Sequence, residues 1–144
     1  MTKSVRRGVA FVVDTLILGL TCTGVAAVVL RVSVSVGRPL DVETAIALLV
    51  PIFAGITAAY HIRGETGPSQ ATIGKRLMGL RVVTESGDPL TPRESIRRVV
   101  ARLVVSMPFL GAGCLVALFS AREQAVHDLL AGTVVERTSP VRLR

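Results

Sequence analysis

Tryptophan is absent, and the 144 residues hold only one tyrosine, four phenylalanines and two cysteines. So few aromatics leave almost no interfacial aromatic girdle. Cys22 and Cys114 lie within apolar segments and have no metal-ligand spacing, so they read as small packing residues rather than a disulfide or a zinc site. Internal repeats and low-complexity runs are missing too. No nucleophile and base, and no set of metal ligands, stand at a useful spacing, which argues against an enzyme and requires no cofactor.

Charge is scarce over long stretches. Gly8 to Leu30 is interrupted only by Asp14, and Thr44 to Ile62 carries His61 near its end and no other basic or acidic side chain. At about 1.5 Å per residue these runs reach roughly 35 and 28 Å, enough to cross a hydrocarbon core of about 30 Å. Lys3, Arg6 and Arg7 give the first run the start of a secretory signal. Its length, its aspartate and the lack of a small-residue cleavage pattern make it a retained span instead. A third apolar run, Leu103 to Phe119, is broken by Pro108, Gly111 and Gly113. It either spans or re-enters, and re-entry returns the basic C-terminal residues to the side favoured by the charge rule.

The sequence therefore predicts an all-α membrane protein with two transmembrane helices, a third Pro/Gly-broken apolar segment and a small cytoplasmic β-hairpin. One domain is expected over 1–138, with spans about 9–30, 44–62 and 99–119, and a short tail at 139–144. The formal charge is +7. Its basic residues cluster beside the apolar segments, which points to lipid headgroups and membrane orientation, not nucleic acid. Residues 1 to 8 carry three basic groups and no acidic ones, and 63 to 98 carry seven basic against four acidic. By the positive-inside rule the N-terminus and the 63–98 loop are cytoplasmic, in a plasma membrane.

Between the first two spans, "RVSVSVGRPLD" reads as a short turn. After the second, "LRVV", "ESGD" and "PLT" suggest two strands around a Ser-Gly-Asp turn. "TPRESIRR" opens a helix, with Thr91 as N-cap, Pro92 in the first position and Glu94 completing a capping box. Further on, Gly132 ends a helix and "TVVE" continues as a short strand.

Asp14 is the residue that demands explanation, because a carboxylate within an apolar span costs several kcal/mol unless it is paired, neutralised or hydrated. Arg7 lies two turns away, roughly 10 Å along the helix, too far for a direct bridge. It is assigned to headgroups at the helix end. Arg97, Arg98 and Arg102 are the expected partners, Arg98 and Arg102 being four apart and able to face one way. Asp14 is read either as a structural carboxylate in that network or as a proton- or ion-binding group. His127 and Asp128 are neighbours and point about 100° apart on a helix, a poor base and orienter pair. "TIGKR" lacks the first glycine of a phosphate loop, so Lys75, Arg76 and Arg81 are assigned to lipid-headgroup contact.

Taken in order, "RRGVAFVVD", "TIGKRLMGLRVVTESGDPLT", "RESIRRVVARL" and "LFSAREQAVHDLLAGTVV" resemble the RDD-domain membrane proteins, named for one arginine and two aspartates. The resemblance maps these onto Arg7, Asp14 and Asp128, and it implies transport of unidentified ligands. The short third segment and the missing aromatic girdle depart from the pattern. Asp14 and Asp128 are then expected to share the arginines of residues 97–102. The favoured function is a transport-associated accessory subunit of a larger membrane assembly, in contact with other membrane proteins or with itself. The alternative is a small oligomeric ion or proton-coupled transporter that uses Asp14.

Overall fold

The computed structural model describes residues 2–102, 104 and 132–138. The core of the third apolar segment, Cys114, His127, Asp128 and the 139–144 tail lie outside these residues. Among the described residues the elements are, in chain order, α1 (Lys3–Ser35), α2 (Val42–Thr66), α3 (Ile73–Leu77), β1 (Leu80–Thr84), α4 (Pro92–Ala101) and β2 (Thr133–Arg137).

Thr2 caps α1, its hydroxyl accepting from the Val5 amide at 3.4 Å. The helix then runs past the expected end near residue 30 to Ser35, through the first five residues of the segment read as a turn. Ser33 and Ser35 donate to the carbonyls of Leu30 and Val32 at 2.7 and 2.8 Å, so their hydroxyls are satisfied within the helix and do not interrupt it. Gly37, at φ 71°, supplies the left-handed residue that stops it. Thirty-three residues make a rod of about 50 Å, longer than a bilayer core of about 30 Å.

Asp41 caps α2, accepting from the Thr44 amide at 2.9 Å and its hydroxyl at 2.8 Å. Pro51 lies inside the helix, and the helix continues to Thr66, one turn beyond the expected boundary. That extra turn brings Glu65 onto the helix.

Burial on both long helices is inverted relative to a water-soluble bundle. The buried residues of α1 are Ala10 and Asp14, and those of α2 are Thr57, His61 and Glu65. None of their large aliphatic side chains is buried and many face outward, Leu20 being 75% exposed and Val28 64%. Both helices are long and apolar enough to cross a membrane. An aliphatic exterior over polar interior stripes suits lipid as the surrounding solvent.

The sheet departs from expectation. β1 pairs antiparallel with β2, Val82 opposite Val135, so the two strands come from distant parts of the chain. The Ser-Gly-Asp turn does form, with the Thr84 amide donating to Asp88 at 3.0 Å and the Gly87 amide to Thr84 at 3.0 Å. Beyond it the expected hairpin shrinks to one bridge between Val83 and Pro89. Proline has no N–H to extend a ladder, and the chain is committed two residues later to the α4 cap. The strand read from "TVVE" is present as β2.

The α4 capping box forms as expected. The Thr91 hydroxyl accepts from the Glu94 amide at 3.4 Å, and Glu94 accepts from the Thr91 amide at 2.8 Å. Ser95, Arg98 and Val99 form the buried face of α4, which packs on α2. A small apolar core of Ala10, Leu80, Val82, Leu90 and Val135, with Met78 against it, fixes the sheet to the N-terminal half of α1.

Candidate functional site

Among the described residues, two buried carboxylates on different helices, Asp14 and Glu65, organise this end of the molecule. Asp14 is 5% exposed. Its Oδ1 accepts from the Tyr60 hydroxyl at 2.5 Å and from the Gly74 amide at 2.8 Å, and its Oδ2 accepts from the Thr72 hydroxyl at 2.6 Å. Tyr60 Oη in turn accepts from the Ile73 amide at 3.3 Å. One side chain of α1 thus ties down α2, the residue capping α3, and the first turn of α3. Gly74 is required by proximity, because a Cβ there would overlap the Ala10 carbonyl oxygen and lie 2.8 Å from Asp14 Oδ1.

The expected arginine partners gather elsewhere. Arg98 Nη1 stands 2.9 Å from Glu65 Oε1, Lys75 Nζ 2.8 Å and Arg102 Nη2 3.9 Å. The Ser95 hydroxyl reaches Glu65 Oε2 at 3.5 Å. The pairing read for Asp14 with Arg98 and Arg102 is therefore corrected: those cations close on Glu65, and the donors described around Asp14 are neutral. Glu65 faces α4 and Lys75 of α3, whereas Asp14 faces Tyr60, Thr72 and Gly74. Arg97 is exposed on the other side of α4.

Arg102 Nη1 is 2.7 Å from His61 Nδ1. A guanidinium only donates, so Nδ1 is the acceptor and the ring proton sits on Nε2. Thr57, His61 and Glu65 follow each other at four-residue steps, a polar ladder along the buried face of α2.

Lys75 is also corrected. Rather than reaching headgroups, it turns inward onto Glu65, with 12% of its side chain exposed. Burial, and next the nearby Arg98, pull its pKa from 10.5 to about 8, against the opposing pull of Glu65. Arg76 remains exposed. Arg81 pairs with Glu136 across the sheet at 3.3 Å, both side chains a little over 40% exposed. At the start of α1, Arg6 donates to the Met78 carbonyl at 2.9 Å, and Arg7 is half-buried.

Glu65, Tyr60, Thr72 and Gly74 were not singled out from sequence. Their signals were the spacing of Thr57, His61 and Glu65, legible only if α2 extends past Ile62, and the position of the chain's one tyrosine beside His61. Among the described residues, no group of three or more His, Cys, Asp or Glu side chains is arranged to hold a metal ion. The arrangement orients and neutralises charge, and the described donors leave neither carboxylate without compensation.

Two aliphatic-faced helices joined at one end by buried polar centres define a helical membrane protein. The chain matches the RDD family model over residues 2–132 and belongs to the RDD family. No curated protein and no solved structure matches it.

Proposed function

We propose that this RDD protein is a transport-associated accessory subunit of a larger membrane assembly, with no catalytic role of its own. The observation that carries the reading is the inverted burial of α1 and α2. Their polar residues are tied together at one end, and the aliphatic faces between Leu16 and Val50 are left for neighbours. Without a hydrophobic force between helices in lipid, such faces associate through close packing, for which aromatic-poor spans with Gly19, Gly24 and Gly55 are suited. Asp14 serves in this reading as a structural carboxylate. The N-terminus and the 63–98 segment face the cytoplasm of a plasma membrane, as the distribution of basic residues favours. The pairing of β1 with β2 supports a return of the intervening chain to that same side, since hydrogen-bonded strands share a compartment.

The test is purification of the full chain from native membranes in a mild detergent, after cross-linking in the intact membrane. Recovery of another membrane protein in fixed ratio is expected. Recovery of the chain alone, together with flux from pure proteoliposomes, overturns the accessory role.

A second reading has one specific observation in its favour. Asp14 and its partner Tyr60 lie beside the buried His61 and the ladder from Thr57 to Glu65, a polar patch near the end of two spans. In that reading the chain is a small oligomeric ion or proton-coupled transporter that uses Asp14. Proton- or cation-dependent flux into liposomes, abolished by Asp14→Asn, supports it; no flux from the pure protein excludes it.

A further inference from the structure

The short α3 helix has two unlike sides. Gly74 and Lys75 face inward, toward Asp14 and Glu65. Ile73 and Leu77 face outward, 47% and 65% exposed, with Arg76 exposed between them in sequence. At 100° per residue, positions 73, 76 and 77 fall within an arc of roughly 100°. α3 packs against α1 at the level of Ala10 and Asp14, where Phe11 and Val12 of the aliphatic face are exposed. The outer side of α3 therefore continues that face at its boundary, where an apolar pair flanking a cation meets both acyl chain and headgroup.

Behind Arg76 lies a cleft of about 350 Å³, between the 68–70 loop, α3 and the sheet. Its described polar lining comes from Ser69, Gln70, Arg76, Arg81 and Thr138, and none of the lining residues among the described ones is acidic. The loop is held in place. Gln70 adopts a left-handed φ of 50°, its amide donating to Gly67 at 2.9 Å and its carbonyl accepting from Val82 at 2.7 Å. Arg81 is partly neutralised by Glu136, whereas the Arg76 guanidinium has no side-chain partner among the described residues.

We infer that this cleft binds the phosphate of an anionic phospholipid headgroup, with Arg76 as the principal contact and Arg81 as the second cation. The shared chemistry is that of a phosphate oxygen meeting a planar guanidinium fork. The lipid is favoured over a free anion because Ile73 and Leu77 place acyl-chain contacts beside the cation. The inference rests on the membrane placement of α1 and is independent of whether the protein is an accessory subunit or a transporter.

The test uses the full chain in mixed micelles containing phosphatidylglycerol or phosphatidylcholine, with bound lipid counted by native mass spectrometry. Phosphatidylglycerol should be retained in preference to phosphatidylcholine. Arg76→Gln should lower its retention about fivefold, the effect of one basic group at an anionic surface. Arg76→Lys should keep part of it. Unchanged melting of Arg76→Gln is expected for an unpaired surface side chain and separates lost binding from lost folding; if melting falls, retention is compared between Arg76→Lys and the wild type under conditions where both stay folded. Retention equal to wild type in both variants overturns the inference. Displacement of phosphatidylglycerol by excess inorganic phosphate overturns the lipid assignment in favour of a free anion.

Discussion

Replacing Glu65 with glutamine preserves the shape of the side chain while deleting the charge that Lys75 and Arg98 approach at 2.8 and 2.9 Å, with Arg102 at 3.9 Å. Glu65 itself is fully buried. Removing one member of a buried ion pair costs about 3–5 kcal/mol, because the surviving charge stays desolvated. The amide oxygen still accepts from Lys75, which places the loss near the lower bound, about 3 kcal/mol. For a chain of this size that corresponds to a fall in Tm on the order of 10 °C. Thermal melting of the detergent-purified protein by far-ultraviolet circular dichroism measures it. Adding Lys75→Met should recover part of the loss by lowering the number of cations facing the neutral amide. A Glu65→Gln melt within about 2 °C of wild type, or a double variant that melts no higher than the single one, refutes the assignment of Glu65 as the shared counter-ion.

Three further substitutions probe the neighbouring contacts. Gly74→Ala drives a methyl into the Ala10 carbonyl and should destabilise by about 1–3 kcal/mol, with loss of protection of the α3 amides in hydrogen exchange; a neutral outcome means α3 does not sit against α1. Asp14→Asn cannot accept as a carboxylate from Tyr60, Thr72 and Gly74 together, and should lower stability by about 1.5–3 kcal/mol. Adding Tyr60→Phe should cost less in that background than in the wild type, and strict additivity argues against the shared hydrogen bond. For Lys75, the folded-state pKa of about 8 lies below the ordinary 10.5. Below pH 8 both the folded and the unfolded chain hold the proton; between about 8 and 10.5 only the unfolded chain does, so this lysine's contribution to stability rises with pH across that window. The melting difference between wild type and Lys75→Met should be flat below pH 8 and move in favour of the wild type above it; an opposite slope refutes the buried placement of Lys75.

The two long helices were legible in the sequence because freedom from charge over some twenty residues has few other meanings. The α4 cap was equally clear, since Thr91, Pro92 and Glu94 act within one turn. What failed were pairings across the chain. Charge alone assigns Asp14 to arginines, yet a carboxylate can also be satisfied by neutral donors, and Tyr60, Thr72 and Gly74 carry no charge to announce themselves. Lys75 was placed outward for the same kind of reason: a lysine beside a membrane suggests headgroups unless its buried counter-ion is known. A helix boundary at Ile62 puts Glu65 in a loop, and only the extra turn of α2 brings it into phase with His61. The hairpin was misread because the turn was real and only its second strand was wrong, a distinction that depends on a strand far away in sequence.

That distant pairing sets an order of assembly during synthesis. The strands meet at Thr84 and Thr133, about fifty residues apart, and closing such a loop costs about 3 kcal/mol in chain entropy before any ladder bond forms. Among the described residues, the partners of Asp14 on α2 and α3 are all in the chain by residue 74, and those of Glu65 by Arg102. The helical end of the protein can therefore consolidate while β1 still has an open edge. A ribosome that stalls between the two strands leaves Leu80 and Val82 without the cover of Val135, presenting an unpaired strand to chaperones, to proteases and to neighbouring nascent chains.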